Sequence, residues 1–397
     1  MAQHQFTDGM GKEQPGAGRP RCGDARAWPV PAERKRLVTQ QLVMLFGLVS
    51  PARHVTPYNR AWAFDDPGGI RAKTAFQALA GCDATIAAPK SQSPALYKIK
   101  RQRDDGIMLD NNAANLHETA LHDWHVAHGG KMVEFGGWDM PVQYKTGIIQ
   151  EHLATRRNAG LFDVSHMGRF SVTGKQAEAF LLHVLTNNAK ALEARHAQYT
   201  FIANDDGDAV DDAYLYKLSD DDFLLVVNAA TREKDWRWLQ QHNSHAGAEM
   251  TDVSDELAMI SLQGPNSSAI LEQLITKEDL PENKRNRLNV ATVQGHEVII
   301  ARTGYTGEAV CFELFPELDY AAELWETLVR LGAVPAGLGA RDSLRLEAGL
   351  PLYGHELGPG PTNGEIPIFA NAIAKFAVRA PDHQDYIGKT ALEKQRQ

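Results

Sequence analysis

Hydrophobic and polar residues follow regular periods from about residue 116 onward. Apolar residues at every second position predict β-strands, because neighbouring side chains of a strand point to opposite faces. The predicted strands cover residues 131–135, 161–165, 168–173, 198–203, 213–218 and 223–228. Helical spacing and Gly stops predict helices over residues 119–128, 148–158, 174–185 and 231–242, with Trp236 in the core. Strands and helices in this irregular order predict an α+β fold.

Residues 1–110 differ from the rest of the chain in composition. They contain nine of the 19 prolines and few periodic apolar runs. Such a segment buries too little apolar surface to offset the entropy lost on ordering, so we predict that most of it is disordered. Met108 stands directly before the first patterned stretch and is a candidate for the true start of the protein.

Charge and cysteine content exclude several classes of protein. Residues 1–110 carry 16 Lys and Arg against 10 Asp and Glu, a net +6, whereas the remainder carries 25 against 40, a net −15. We expect no nucleic-acid partner for a body this acidic. No run of 18 apolar residues occurs, so we expect no membrane span. Cys22, Cys82 and Cys311 are far apart and form no CxxC pair, which predicts no metal site and a reducing compartment. We expect the cytoplasm, with the mitochondrial matrix as the alternative.

Two adjacent aspartates follow a predicted turn. The Asn204 to Asp208 stretch is rich in Asn, Asp and Gly, and strand patterns flank it, so Asp211 and Asp212 begin the return strand of a hairpin. Strand alternation predicts that one of them faces an interior with tyrosines while the other faces water. A buried carboxylate is costly without a partner, which makes the inward one a candidate for chemistry. The alternative is a solvated turn with two surface acids.

Five further motifs stand out along the chain. Each has an ordinary structural explanation when taken alone, since a His or Met can be a satisfied core residue and a Gly-rich stretch can be a plain hairpin. The motifs are Asp163-Val-Ser-His-Met-Gly168, Leu262-Gln-Gly-Pro265, Arg302-Thr-Gly-Tyr-Thr-Gly-Glu308, Ala336-Gly-Leu-Gly-Ala-Arg-Asp342 and Leu346-Glu-Ala-Gly-Leu-Pro-Leu-Tyr-Gly-His-Glu356.

Taken together and in this order, the motifs resemble those of glycine cleavage system T-proteins, which are aminomethyltransferases. The resemblance extends from about Leu116 to Glu393 and includes Phe135-Gly-Gly-Trp-Asp-Met-Pro141. It implies the interleaved mixed α/β domains of that folate-binding fold, here over residues 113–376. It also implies that the C-terminal barrel domain of the family is truncated, with residues 377–397 as its start.

The resemblance implies a tetrahydrofolate-dependent enzyme. Such an enzyme transfers the methylene carbon from the aminomethyl-dihydrolipoyl arm of the H-protein to tetrahydrofolate and releases ammonia. The other glycine cleavage components are further implied partners. Asp212 matches the catalytic aspartate of the family. The positions that match folate-binding residues are Glu313, Arg341, Tyr305, Met167, Tyr199, Tyr216 and Asn228.

The residue types agree with the implied roles. A carboxylate such as Glu313 can accept the paired N–H donors of a pterin edge. Tyrosine and methionine suit the flat rings of a folate. A carbon that loses ammonia passes through a cationic state, and a fixed carboxylate such as Asp212 stabilises that state electrostatically.

The sequence departs from the family pattern within the resembling region as well. A tryptophan that the family has near the folate is replaced by Ala374, which predicts weaker stacking by about 1 kcal/mol or somewhat more. A Gly/Pro-rich loop follows Glu356, where the family has a short acidic turn.

Two other functions remain open from the residues alone. One is another folate-dependent one-carbon enzyme, such as a demethylase that acts on thiol-methyl or N-methyl groups. The other is a truncated, non-catalytic folate-binding module. The relatives of that kind that assist iron–sulfur assembly carry a Lys-Gly-Cys-Tyr signature, which is absent from this sequence.

Overall fold

The structure is a computed structural model that describes residues 116–361, 364–379 and 385–397. The predicted disordered segment, residues 1–110, and the candidate start at Met108 lie outside the described residues. Among the helices of the described part, none combines the length and apolar content needed to cross a membrane.

The described elements alternate irregularly between strands and helices. The strands are β1 (Lys131–Phe135), β2 (Trp138–Gln143), β3 (Gly160–Asp163), β4 (Gly168–Thr173), β5 (His196–Ala203), β6 (Ala209–Ser219), β7 (Asp222–Val227), β8 (Glu249–Asp252), β9 (Ile260–Gln263), β10 (Leu288–Val293), β11 (His296–Ala301), β12 (Cys311–Pro316), β13 (Val334–Pro335), β14 (Gly358–Pro359) and β15 (Glu365–Ile366). The α-helices are α1 (His122–Ala127), α2 (Ile148–Arg157), α3 (Ala177–Val184), α4 (Arg232–His242), α5 (Ser267–Leu271), α6 (Ala321–Arg330), α7 (Leu338–Ala348), α8 (Ala374–Ala377) and α9 (Lys389–Arg396).

Two larger sheets organise these elements. The first is antiparallel, with strand order β5-β6-β7-β4-β8, and the second has the order β10-β11-β12-β9-β3-β13. In the second sheet only the β3–β13 pair is parallel. The mixed architecture confirms the predicted α+β fold class.

The central strands β4, β6 and β7 of the first sheet are covered on both faces. On one face, Leu215 and Leu225 pack with Phe180 and Leu181 of α3 and Leu239 of α4. The other face packs against the second sheet in a separate cluster, in which the Tyr216 and Phe315 ring centroids are 5.2 Å apart. Helix α7 contributes to that same cluster through Ala340 and Leu344. Strand β6 therefore has two covered faces.

Most predicted elements are present, with differences at their ends. Helix α1 begins at His122 rather than at residue 119, because the Thr119 hydroxyl donates to Asp163 Oδ2 at 2.7 Å and holds the chain before the helix. Helix α3 begins only at Ala177, after a turn in which Gly174 has a φ of +99°. Trp236, predicted in the core, is half-buried against Phe170 at a centroid distance of 5.0 Å.

Residues 385–397 pack against the hairpin formed by β5 and β6. Leu392 shares a buried cluster with Phe201 and Ala209 of the hairpin. Gln395 Nε2 donates to the Gly207 carbonyl at 2.9 Å. Gly207 has a φ of +78°, and a Cβ added there would lie 2.9 Å from the Cβ of Ala391. Glycine is thus required at this turn both by its backbone conformation and by the close approach of α9.

Ala374, which the resemblance predicts to stand in place of a family tryptophan, is fully buried in that same cluster. The cluster contains residues on both sides of the predicted domain boundary at residue 376, since it includes Ile368 as well as Tyr386. The boundary itself stays a prediction.

Candidate active site

Strand β6 presents two different faces. Its alternation places Asp212, Tyr214 and Tyr216 on the face toward the second sheet. Asp211 falls on the opposite face, together with Ala213 and Leu215, which pack in the cluster of α3 and α4. The hairpin pairing Phe201↔Asp212 and Tyr199↔Tyr214 adds side chains from β5 to the first of these faces.

The Asp212 carboxylate is held by two side-chain donors. Tyr199 donates its hydroxyl to Oδ2 at 2.9 Å, and Asn228 donates Nδ2 to Oδ1 at 2.9 Å. The residue is 9% exposed. Burial raises the pKa of Asp212 to about 7, with the negative charge of Asp211 acting in the same direction and the two donors acting against it. This carboxyl group can therefore exchange a proton near neutral pH.

A series of tyrosine rings connects Asp212 to a second carboxylate. The ring centroids of Tyr199 and Tyr214 are 6.1 Å apart, and those of Tyr214 and Tyr216 are 5.4 Å apart. The Tyr216 hydroxyl then donates to Glu313 Oε2 at 2.8 Å. Thr303 donates to the same oxygen. Glu313 is 6% exposed, so its charge is held in a largely desolvated position.

The side chains of Arg341 and Tyr305 are in contact. Arg341 lies on α7, and its guanidinium carbon is 4.8 Å from the centroid of the Tyr305 ring. Burial lowers the pKa of Arg341, while the charge of Glu313 opposes this shift. Arg341 Nη1 is buried without a hydrogen-bond partner among the described residues. A buried donor of this kind is costly unless an acceptor reaches it.

The motif His166-Met167 lies beside these groups. Met167 is half-buried and packs against the cluster that contains Tyr216. His166 is buried, its ring lies edge-on to that of Phe135 at 5.7 Å, and burial lowers its pKa to about 4. The His166 ring is therefore neutral at physiological pH, as expected of a core histidine.

The structure contradicts the prediction that one aspartate of the pair faces water. Asp211 is fully buried, with 0% exposure. Its Oδ1 accepts from Asn228 Nδ2 at 2.8 Å, and its Oδ2 accepts from Thr231 Oγ1 at 2.7 Å and from the Asn228 backbone N–H at 3.2 Å. The physical reason is that α3 and α4 cover the second face of the sheet, which the alternation of β6 alone does not show.

The eight predicted site residues thus fall into linked groups. Tyr199 and Asn228 bond Asp212, Tyr216 bonds Glu313, Arg341 stacks on Tyr305, and Met167 packs beside Tyr216. Their assignment to catalysis and folate binding stays a prediction.

Sequence reasoning missed two polar residues that bear on these groups. Thr303 bonds Glu313, and Asp235 lies buried on α4 behind Asp211. Asp235 carries a signal in the sequence, because it occupies the same helical stripe as Thr231 and Leu239, at spacings of four residues. A carboxyl group on the apolar stripe of a helix indicates a buried polar contact.

Other features of the described part give no competing site. A shallow surface depression lined by acidic and apolar side chains shares no residue with these groups; its lining is Ala120, Glu256, Leu257, Glu317, Leu318 and Asp319. In the part of the chain that the structure describes, no group of three or more His, Cys, Asp or Glu is placed to hold a metal ion.

Comparisons with known proteins identify a family for this chain. The family model described as the GCVT N-terminal domain matches residues 121–367. An aminomethyltransferase of Deinococcus deserti is 47% identical over 61% of this chain and 67% of its own length. One from Thermoanaerobacter pseudethanolicus is 44% identical over 71% of this chain and 76% of its own length.

A solved structure agrees with the sequence matches. The crystal structure of glycine cleavage system aminomethyltransferase T from Bartonella henselae shares 33% identity with this chain and has a TM-score of 0.61. The match covers 71% of this chain and 75% of that one. The family resemblance and the enzyme class predicted from the motifs are confirmed: the chain belongs to the aminomethyltransferase family that carries the GCVT N-terminal domain.

Proposed function

We propose that this chain is the aminomethyltransferase of a glycine cleavage system. Its substrates are then the aminomethyl-dihydrolipoyl arm of an H-protein and tetrahydrofolate, and it contributes to glycine catabolism beside the other components of that system. Family membership supports the reaction class, and the matched protein of Bartonella henselae supports the pathway. The observation that carries the proposal is the buried Asp212 carboxylate, held by two donors at one end of a tyrosine series that ends at Glu313.

The overall reaction defines what Asp212 has to do. The methylene carbon loses its bonds to sulfur and to the amino nitrogen and gains bonds to two folate nitrogens, giving 5,10-methylenetetrahydrofolate. The two protons from those nitrogens leave with ammonia and with the thiol. Asp212, when ionised, stabilises the positive charge on the carbon, and its raised pKa suits it to accept a proton and pass it on.

The other end of the tyrosine series fits the head of a folate. Both protein donors to Glu313 bond Oε2, and a carboxylate has the capacity to accept from the paired N–H groups of a pterin edge as well. The unpartnered Nη1 of Arg341 supplies a donor for a pterin acceptor. Tyr305 and Met167 then provide flat and adaptable apolar contacts for the rings.

The test is substitution of the acid without loss of its shape. We expect Asp212→Asn to lower the rate of ammonia release from aminomethylated H-protein by roughly a hundredfold or more, because the amide cannot stabilise a positive charge. Protection of the protein against heat by tetrahydrofolate should persist. Asp206→Asn, an exposed residue of the same hairpin, is the matched control.

Three results separate the alternatives. Equal ammonia release by the wild type and Asp212→Asn would contradict the role of Asp212. Turnover of N-methyl or thiol-methyl substrates in place of the aminomethyl carrier would indicate a demethylase. Heat protection by tetrahydrofolate with no ammonia from the wild type would indicate a binding module.

We propose the cytoplasm as the compartment, or the mitochondrial matrix if the source is eukaryotic.

A further inference from the structure

Behind Asp212, on the opposite face of β6, lies a second acidic group. Asp211 of β6 and Asp235 of α4 are both fully buried, with 0% exposure, and their side chains face each other. Thr231, one turn before Asp235 on the same stripe, bonds Asp211. The chain thus has three buried aspartates in one region, two of them on the side away from the tyrosines.

Asp211 accepts more hydrogen bonds than Asp235 does. Asp211 accepts from Thr231 Oγ1 and from both the backbone and side-chain N–H of Asn228. Neither oxygen of Asp235 has a partner at full hydrogen-bond geometry; the nearby Thr231 hydroxyl, which donates to Asp211, only opposes the rise in the pKa of Asp235. Both oxygens of Asp211 are thus held by donors, whereas those of Asp235 are not.

Two carboxylates cannot bond each other unless one of them keeps a proton. The titratable groups that face Asp235 in the described part are Asp211 on β6 and Lys234 on its own helix, with Asp212 beyond Asn228. Lys234 Nζ is 3.9 Å from Asp235 Oδ1 and is directed to the Val210 carbonyl and to the Tyr353 hydroxyl, the latter at 2.9 Å. Burial, with the charge of Asp211, raises the pKa of Asp235 far above its ordinary value.

Asn228 connects this pair to the candidate catalytic acid. Its Nδ2 donates to Asp211 Oδ1 at 2.8 Å and to Asp212 Oδ1 at 2.9 Å. One N–H of the Asn228 side-chain amide therefore bonds Asp211, and the other bonds Asp212. A fully ionised pair would place an additional negative charge beside Asp212 and disfavour its ionised form.

We propose that Asp211 and Asp235 share one buried proton, carried by Asp235, and that this pair is a positioning device that orients Asn228 and thereby Asp212. The inference deepens the proposed function and relies on it for the role of Asp212. Asp211 and Asp235 are positioning residues, because they act through Asn228 and do not touch the substrate.

The proposal predicts unequal effects of the same substitution at the two acids. Asparagine at 235 supplies an N–H to Asp211, as the protonated acid does. Asparagine at 211 places an N–H₂ where an oxygen now accepts from Asn228 or from Thr231, so at least one of those bonds to position 211 is lost. We expect Asp235→Asn to lower kcat only a few-fold and Asp211→Asn to lower it about a hundredfold, with the KM for tetrahydrofolate changed a few-fold at most in both.

A second measurement does not depend on activity. Asp235 keeps its proton in the folded protein, whereas in the unfolded chain it loses that proton above the ordinary aspartate pKa of 3.8. The stability that this group contributes is therefore present at low pH and falls as pH rises toward the raised folded pKa. We expect the wild-type Tm to fall relative to that of Asp235→Asn between about pH 5 and pH 9.

The outcomes are separable. Equal losses of kcat in the two variants, or a Tm difference between the wild type and Asp235→Asn that does not change with pH, would overturn the shared proton. If Asp211→Asn does not fold, the pH series on Asp235→Asn still decides. If the wild type releases no ammonia, the proposed function is wrong. The pH dependence of the Tm difference still tests whether Asp211 and Asp235 share a proton.

Discussion

The two faces of β6 carry adjacent aspartates in very different settings. Asp212 is 9% exposed, belongs to the tyrosine face and has donors from Tyr199 and Asn228. Asp211 is 0% exposed, is covered by α3 and α4, and lies against the carboxyl group of Asp235. The two residues are identical in chemistry and neighbours in sequence. What covers each face of the strand, rather than residue type, decides which of them can meet a substrate.

Burial serves two purposes in this molecule. On the tyrosine face, burial raises the pKa of Asp212 into the range in which it exchanges protons, while the residue keeps 9% of its surface exposed. On the helix face, burial keeps a proton between two acids and so limits the charge near Asp212. Substitutions on the tyrosine face should therefore act directly on folate binding and on the pH–rate profile, whereas those on the helix face act through Asn228 or on stability.

Within the tyrosine face, the largest effect after the loss of Asp212 is expected at the far end, at Glu313. Glu313→Gln keeps the bonds from Tyr216 and Thr303 but removes the charge and offers an N–H₂ to the pterin donors. Hydrogen bonds to a charged group are worth about 1.5–3 kcal/mol, so the Kd for tetrahydrofolate should rise roughly 10–100-fold. Isothermal titration calorimetry measures this change.

Glu317→Gln is the matched control, because Glu317 is exposed four residues further along. A change in kcat at saturating folate that exceeds the change in Kd would place Glu313 in the chemical step instead of in binding.

A smaller effect is expected from the donor that holds Asp212. Tyr199→Phe removes a bond to the ionised carboxylate, so the pKa of Asp212 rises above about 7. The ionised fraction then falls at any given pH, and the acid limb of the pH–rate profile should move to higher pH by about one unit. Activity is lost as pH falls in both proteins and recovers in the variant at alkaline pH.

Tyr214→Phe is the control for this profile. Tyr214 lies on the same face, but its hydroxyl donates to Asn286 Oδ1 at 2.6 Å and not to Asp212. A Tyr199→Phe profile with an unchanged acid limb would show that Asp212 is not the group that titrates.

The smallest effect is expected from Thr231, a single donor on the helix face. Thr231→Val removes the hydroxyl that donates to Asp211 at nearly constant volume. The free energy of unfolding in urea should fall by about 1–2 kcal/mol, with only a few-fold loss of kcat, because Asn228 still bonds Asp211. Thr251→Val, at an exposed position of β8, should stay within about 0.5 kcal/mol of the wild type. If kcat falls far more than a few-fold while the free energy of unfolding falls by only about 1–2 kcal/mol, Thr231 acts more directly on the reaction.

Local elements were predictable from the sequence, whereas the covering of their faces was not. The turn chemistry around Gly207 and the flanking alternation located the β5–β6 hairpin and the start of its return strand. Alternation gives the two faces of β6, but it cannot show that α4, which follows β7, packs over the second one. The Asp211 prediction was wrong for that reason.

The order of strands in the two sheets could not be predicted, because it depends on pairing between distant parts of the chain. Strand β3 lies between β9 and β13, and β4 lies between β7 and β8, so neighbours in the sheets come from distant parts of the chain. The contact between Arg341 and Tyr305 joins a helix to a loop in this way. The motifs named both residues through the family resemblance, but no period in the sequence brings them together.

The bond between Gln395 and Gly207 joins residues 188 positions apart. In a chain made from its N-terminus, the hairpin with Asp211 and Asp212 leaves the ribosome well before helix α9 exists to cover its turn. At about 5–20 residues per second, that interval lasts roughly 10–40 seconds. During synthesis the hairpin turn therefore stays open to solvent, and the strand of the catalytic candidate reaches its final packing only when α9 has emerged.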